Sequence, residues 1–254
     1  MPAAYPSCAP APAPGEIAGA GKCRCPGDPT VRGCASTGPI RKGEGTHMAE
    51  QAGTGGTGER ERVRPDDVTA AAGFSADTLR QVQDEDWSRP AGPLTWDCRY
   101  TLLHVCSDFF GYAGQVAGHP EDDYLPVDLK EEEGATVPRL LNAVAATGAL
   151  LAAIVRVTPD EARGYHPYGV SDPEGFAAMG IVEALVHTYD IATGLGLDCA
   201  PPPDVCARTL HRLFPEAPRD ADPWQALLWA TGRAELPGFA RRESWRWHGE
   251  PLKG

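Results

Sequence analysis

Glu183 and His187 stand four residues apart in the run Gly180-Ile-Val-Glu183-Ala-Leu-Val-His187-Thr-Tyr-Asp190, whose other members are mostly apolar. On a helix this spacing stacks the carboxylate and the imidazole on one face. A carboxylate among Ile181, Val182, Leu185 and Val186 is costly to bury without a partner for its charge. His104 occupies a similar setting in Leu102-Leu-His104-Val-Cys-Ser-Asp108-Phe-Phe-Gly111. Two imidazoles and one carboxylate suit a divalent metal and leave a coordination position open, the pattern of a reactive site. His104, Glu183 and His187 are therefore the expected metal ligands. This donor set accepts iron or nickel as well as zinc, so zinc is a preference and not a deduction.

Asp108 and Asp190 each follow a histidine by about one helical turn. Carboxylates so placed orient an imidazole or hydrogen-bond a ligand held at the metal. Both are candidates for cofactor binding, and Asp190 also for catalysis. Arg139, early in the third helical run, is the candidate to hold an anionic substrate or else a surface arginine. The competing reading makes Glu183 and His187 part of a solvent face. Such a face normally carries long charged residues, yet the stretch from Gly175 to Gly196 contains no Lys or Arg. His166, in Gly164-Tyr-His166-Pro-Tyr-Gly169, reads as a structural or exposed loop residue.

Four helical stretches carry these residues. The first runs from about Asp66 to Gln83. The second runs from about Trp96 to Ala117, with Thr95 as its expected cap. The third runs from about Thr136 to Val157, where Pro138 falls in the tolerant first turn. The fourth opens at Asp172-Pro173 and closes at Gly194-Leu-Gly196. Alternation at period two is missing, so the expected fold is all-α, a four-helix bundle over residues 65–196. The connection from Gly118 to Ala135 is long enough to cross the bundle, letting helices two and three run parallel and helix four antiparallel to helix two. At about 1.5 Å per residue, His104 lies ~12 Å from the start of helix two. His187 and Glu183 lie ~10 and ~16 Å from the end of helix four. Antiparallel packing puts all three at one level.

Shorter helical runs, Asp204 to Phe214 and Asp222 to Arg233, follow Pro201-Pro-Pro203. Residues 197–254 are expected to form a helical cap, being marginal as a domain of their own. At the other end, residues 1–64 are rich in Pro, Gly and Ala and lack periodicity, as in a disordered extension, with Met48 a candidate start. They contain no apolar stretch of the signal-peptide kind.

The chain holds 35 Asp+Glu against 23 Lys+Arg, a net charge of −12, opposite to what a nucleic-acid binder needs. Residues 1–47 are slightly basic, five against three, so the remainder stands at −14. No apolar run looks long enough to span a membrane, and a soluble, cytoplasmic protein is expected. Arg outnumbers Lys, which with the Ala, Gly and Pro content suggests a GC-rich genome. The eight cysteines show neither zinc-ribbon spacing nor a secretory context, and read as incidental.

Trp87, Leu94-Thr-Trp96 and Leu103-His104-Val with Asp108 resemble the DinB-like bundle superfamily. Glu183-x-x-x-His187-x-x-Asp190 is similar to the fourth-helix signature of its mycothiol-dependent maleylpyruvate isomerase branch. The resemblance covers residues 65–196, with a looser likeness at Phe214-Pro215 and Leu228-Trp-Ala-Thr-Gly-Arg233 to actinobacterial members. It implies a divalent metal, usually zinc, at His104, Glu183 and His187, used with mycothiol or another low-molecular-weight thiol. The C-terminal part looks shorter than the isomerase's second domain. The implied activity is a thiol-dependent isomerase or transferase acting on an electrophilic small molecule. A hydrolase using bound water and a non-catalytic metal-binding stress protein stay open. The expected partners are a thiol and a small electrophile, with no nucleic acid or membrane, and a homodimer is left open.

Overall fold

The computed structural model describes residues 60–252. The expected disordered extension lies outside the described residues as far as Glu59. Residues 60–64, assigned to it from sequence, are tied down instead. The backbone N–H of Val63 donates to Glu174 Oε1 at 2.9 Å, and Arg60 and Arg62 bind the same carboxylate at 2.6 and 3.2 Å. Glu174 is buried, and this half-circle of donors offsets the cost of taking its charge out of water.

Six helices follow: α1 (Pro65–Arg80), α2 (Cys98–Gly118), α3 (Val137–Val157), α4 (Pro173–Leu195), α5 (Pro203–Leu213) and α6 (Pro223–Ala230). The fold is all-α, with no strand among the described residues. The boundaries follow local chemistry. Asp172 caps α4 by accepting from Gly175 N at 2.7 Å, Pro173 takes the first helical position, and Gly196 ends the helix at φ 76°. The cap of α2 is Asp97, which accepts from Tyr100 N at 2.6 Å, and not Thr95. Trp96 O is already committed to Ala91 N at 2.9 Å, and Cys98 N to Arg89 O at 2.9 Å. That hairpin-like loop delays the helix by two residues.

α1–α4 pack with α1 against α3 and α4, and α2 against α3 and α4. α1 and α3 are antiparallel, since Arg80 meets Asn142 at one end and Arg156 meets Asp66 at the other. α2 and α3 are parallel, because Arg99 at the start of α2 reaches Ala135 O and Glu131 just before α3 begins. α2 and α4 are antiparallel: Cys98 lies beside Ile191, Phe109 beside Gly180, and Tyr112 beside Phe176. Three helices meet at Gly180, where an added Cβ would lie 2.7 Å from Leu151 Cδ2.

α4 is buried almost all round, with α1 and α2 on one side and α5 on another. α3 shows a contrast. It sends Leu141, Val144 and Leu151 inward and leaves Leu150 and Val157 exposed. By length and composition it is apolar enough to cross a membrane, against the reading that no run is. Its alanines hid it, because they raise mean hydropathy without forming a conspicuous block of large side chains. Arg212, fully buried on α5, joins Asp172 at 2.9 Å and the carbonyl of His248 at 3.2 Å, so the C-terminal tail is strapped to the start of α4.

Candidate metal centre

The antiparallel crossing of α2 and α4 brings His104, Glu183 and His187 together, with one potential ligand atom from each lying within 4.8 Å of the others. Glu183 Oε2 is 3.1 Å from His187 Nε2 and 3.8 Å from His104 Nε2. The two imidazole centroids are 5.2 Å apart. Trp96, from the loop before α2, closes one side with its ring 4.9 Å from His104 and 6.2 Å from His187.

The two histidines differ in charge preference. Burial, reinforced by the positive charge of His187, lowers His104 to about 4, with Glu183 pulling the other way. Burial also works against a charged His187. Its hydrogen bonds to Asp190 and Glu183 outweigh that and raise it to about 9. Glu183 would be pushed up by burial, but His187, His104 and Arg233 hold it ionised, at about 2. Without a metal, the cluster is thus an imidazolium–carboxylate pair beside a neutral imidazole.

Asp190 is wholly buried and accepts from His187 Nδ1 at 3.0 Å. Arg233 Nη2 contacts the same oxygen at 2.8 Å, and Arg233 Nε contacts the other at 3.3 Å. Both carboxylate oxygens of Asp190 are thus engaged, by His187 and Arg233. Asp108 Oδ2 lies 3.1 Å from His104 Nε2, and both residues line a cavity of about 610 Å³. Arg139 is not with them. It is exposed at the opposite end of α3 and pairs with Glu132 at 2.6 Å. Its position is that of the surface alternative.

Arg233 is the residue that sequence reasoning missed. It follows Gly232, whose φ of 71° ends the turn after α6, and its half-buried guanidinium lies over the Trp245 ring. The available signal was indirect: a buried Asp190 on a helix without Lys or Arg requires a cation from elsewhere. His166 is buried among Tyr112, Tyr124, Tyr168, Phe176 and Trp247. Burial lowers its pKa to about 4, which suits the structural role and not the exposed one. Cys98, Cys106, Cys199 and Cys206 are free thiols.

Residues 68–192 match the mycothiol maleylpyruvate isomerase N-terminal domain. The helical bundle belongs to that domain family. The match spans all three candidate ligands and ends before Arg233, which comes from the C-terminal segment. No curated protein and no solved structure matches the chain significantly.

Proposed function

We propose that the protein is a divalent-metal-dependent enzyme that activates a low-molecular-weight thiol, such as mycothiol, for attack on an electrophilic small molecule, as a transferase or isomerase. The observation that carries this reading is the convergence of two imidazoles and a carboxylate in a buried, one-sided cluster. The donor set fits a divalent ion, and zinc is the preferred one. When bound, the ion supplies positive charge that favours the ionised, nucleophilic form of a thiol.

The remaining roles belong to the chain. His187 keeps its Nδ1 hydrogen on Asp190, which fixes the tautomer and leaves Nε2 toward Glu183. Arg233 keeps Asp190 ionised for that task. Trp96 covers the imidazoles and limits water on that side. None of the four described cysteines suits the nucleophile. Burial pushes Cys98 up to about 11 and Cys106, Cys199 and Cys206 up to about 12. Among the described residues no thiol nucleophile is on hand, which supports a reading in which one is brought in.

The test combines metal analysis with turnover of an electrophile panel in the presence and absence of mycothiol. Activity that needs both metal and thiol is expected. Turnover independent of thiol would overturn the reading in favour of hydrolysis, and metal binding without any reaction would favour a non-catalytic protein.

A further inference from the structure

The connection between α2 and α3 does more than span the bundle. It folds back over the groove between the C-terminal halves of these two helices and roofs the 610 Å³ cavity. Gln115, fully buried, pegs the roof. Its side-chain nitrogen donates to Tyr165 O at 2.7 Å, and its oxygen accepts from Leu125 N at 3.2 Å. Leu125 packs down on Gly114 and Gly118, at the distance where a Cβ on Gly114 would be 3.1 Å from Leu125 Cδ1. The volume is in the range of small-molecule sites.

The lining is apolar and acidic. Phe110, Leu125, Val127, Leu150 and Ile154 supply its walls, and Asp108, Asp123 and Asp128 its charges. No Lys or Arg among the described residues lines it. Sites for carboxylates normally offer arginine forks or helix N-termini. Here both flanking helices present their C-terminal halves, whose dipole is negative. The only cation expected from sequence to hold an anion, Arg139, is at the other end of α3.

We propose that this cavity selects an uncharged, largely apolar electrophile and rejects dicarboxylates. The inference deepens the thiol-enzyme reading and rests on it, since His104 joins the cavity to the metal cluster. It separates the substrate class of this chain from the dicarboxylate implied by the name of its domain family.

The experiment uses the full chain, metal-loaded and metal-stripped, with diethyl phthalate and the phthalate dianion as a matched neutral and charged pair. Equilibrium dialysis should show the ester binding at least ten times more tightly. Gly111→Leu fills the cavity one turn beyond Asp108. A Cβ there meets nothing within 4 Å, and leucine favours the helix, so the variant should fold, keep its metal and lose the ester. Leu150→Arg, on the partly exposed α3 wall, adds the missing cation and should strengthen phthalate binding at least fivefold. Phthalate equalling the ester in the metal-stripped wild type would overturn the proposal, as would both variants leaving both affinities unchanged. Failure to bind metal at all would instead sink the thiol-enzyme reading, and the metal-stripped comparison of the two probes would still judge the cavity.

Discussion

His187 and His104 approach the same carboxylate from two helices whose surroundings differ. Around His187 the polar atoms are fully committed, to Glu183 on one ring nitrogen and to Asp190 on the other, with Arg233 behind. His104 has Asp108 beside it and a cavity in front. α4 is buried on nearly all sides, whereas α2 presents one face to that cavity. The comparison teaches a division of labour. On the proposed function, the α4 half is a braced bracket that holds the ligand geometry, and the α2 half is the face open to small molecules.

The largest expected effect comes from removing the bracket's ligand. His187→Ala leaves two protein donors, so metal affinity should fall by about a thousandfold or more, since three donors are the usual catalytic minimum. The helix should persist, because alanine is the best helix former. Metal content and melting temperature measured on one sample decide the matter. Full occupancy in a destabilised variant would make His187 a core residue and end the assignment.

Arg233→Met tests the brace behind the ligand. Removing one partner of a buried pair leaves Asp190 with His187 alone, and a loss of about 3 kcal/mol is expected, the low end for such a break. Metal affinity should fall by about 10- to 100-fold, as for other groups that orient a ligand. Combining it with Asp190→Asn should cost less than the two singly, because the two residues form one unit. Unchanged metal affinity in Arg233→Met would show that the brace serves stability only.

These residues also show what the sequence discloses. Glu183, His187 and His104 were legible because helical spacing and apolar neighbours speak to burial within one element. The antiparallel level of α2 and α4 followed from connection length, and the ends of α4 from Asp172 and Gly196. Arg233 was hidden because it lies 43 residues from Asp190 and nothing local marks it as its partner. The cap at Asp97 depends on a loop closed by long-range backbone hydrogen bonds. The cavity depends on Gln115, an ordinary helix residue until Leu125 and Tyr165 fold onto it.

Acidity gives a smaller, graded test. His187 has its pKa raised to about 9, so the stability it adds to the metal-free fold is fully present below about 6.5 and is lost as pH rises through about 9. A metal on His187 requires the neutral ring, so binding releases that proton. Apparent affinity should therefore rise about tenfold per pH unit between about 7 and 8. His104, neutral down to about 4, should contribute no slope in that interval. Proton release measured calorimetrically in buffers of different ionisation heat should be near one per metal. A value near two would show that His104 is as charged as His187 and would erase the contrast between the halves.

The smallest effect is expected on the open face. Asp108→Asn removes a carboxylate whose oxygen lies 3.1 Å from His104 Nε2, but His104 is already neutral and gains little from that charge. Metal affinity should change by less than about tenfold, below the range for Arg233, because Asp108 stands beside a neutral imidazole rather than bracing a charged one. Stability should hardly move, since the asparagine keeps the volume and an acceptor oxygen at the cavity wall. Binding of an anion should respond more than either, because one of the three lining charges is gone. Measuring metal and phthalate affinities on the same preparation separates the two. If Asp108→Asn strips the metal as thoroughly as His187→Ala, Asp108 belongs to the bracket, and the division between a braced half and a receiving half fails.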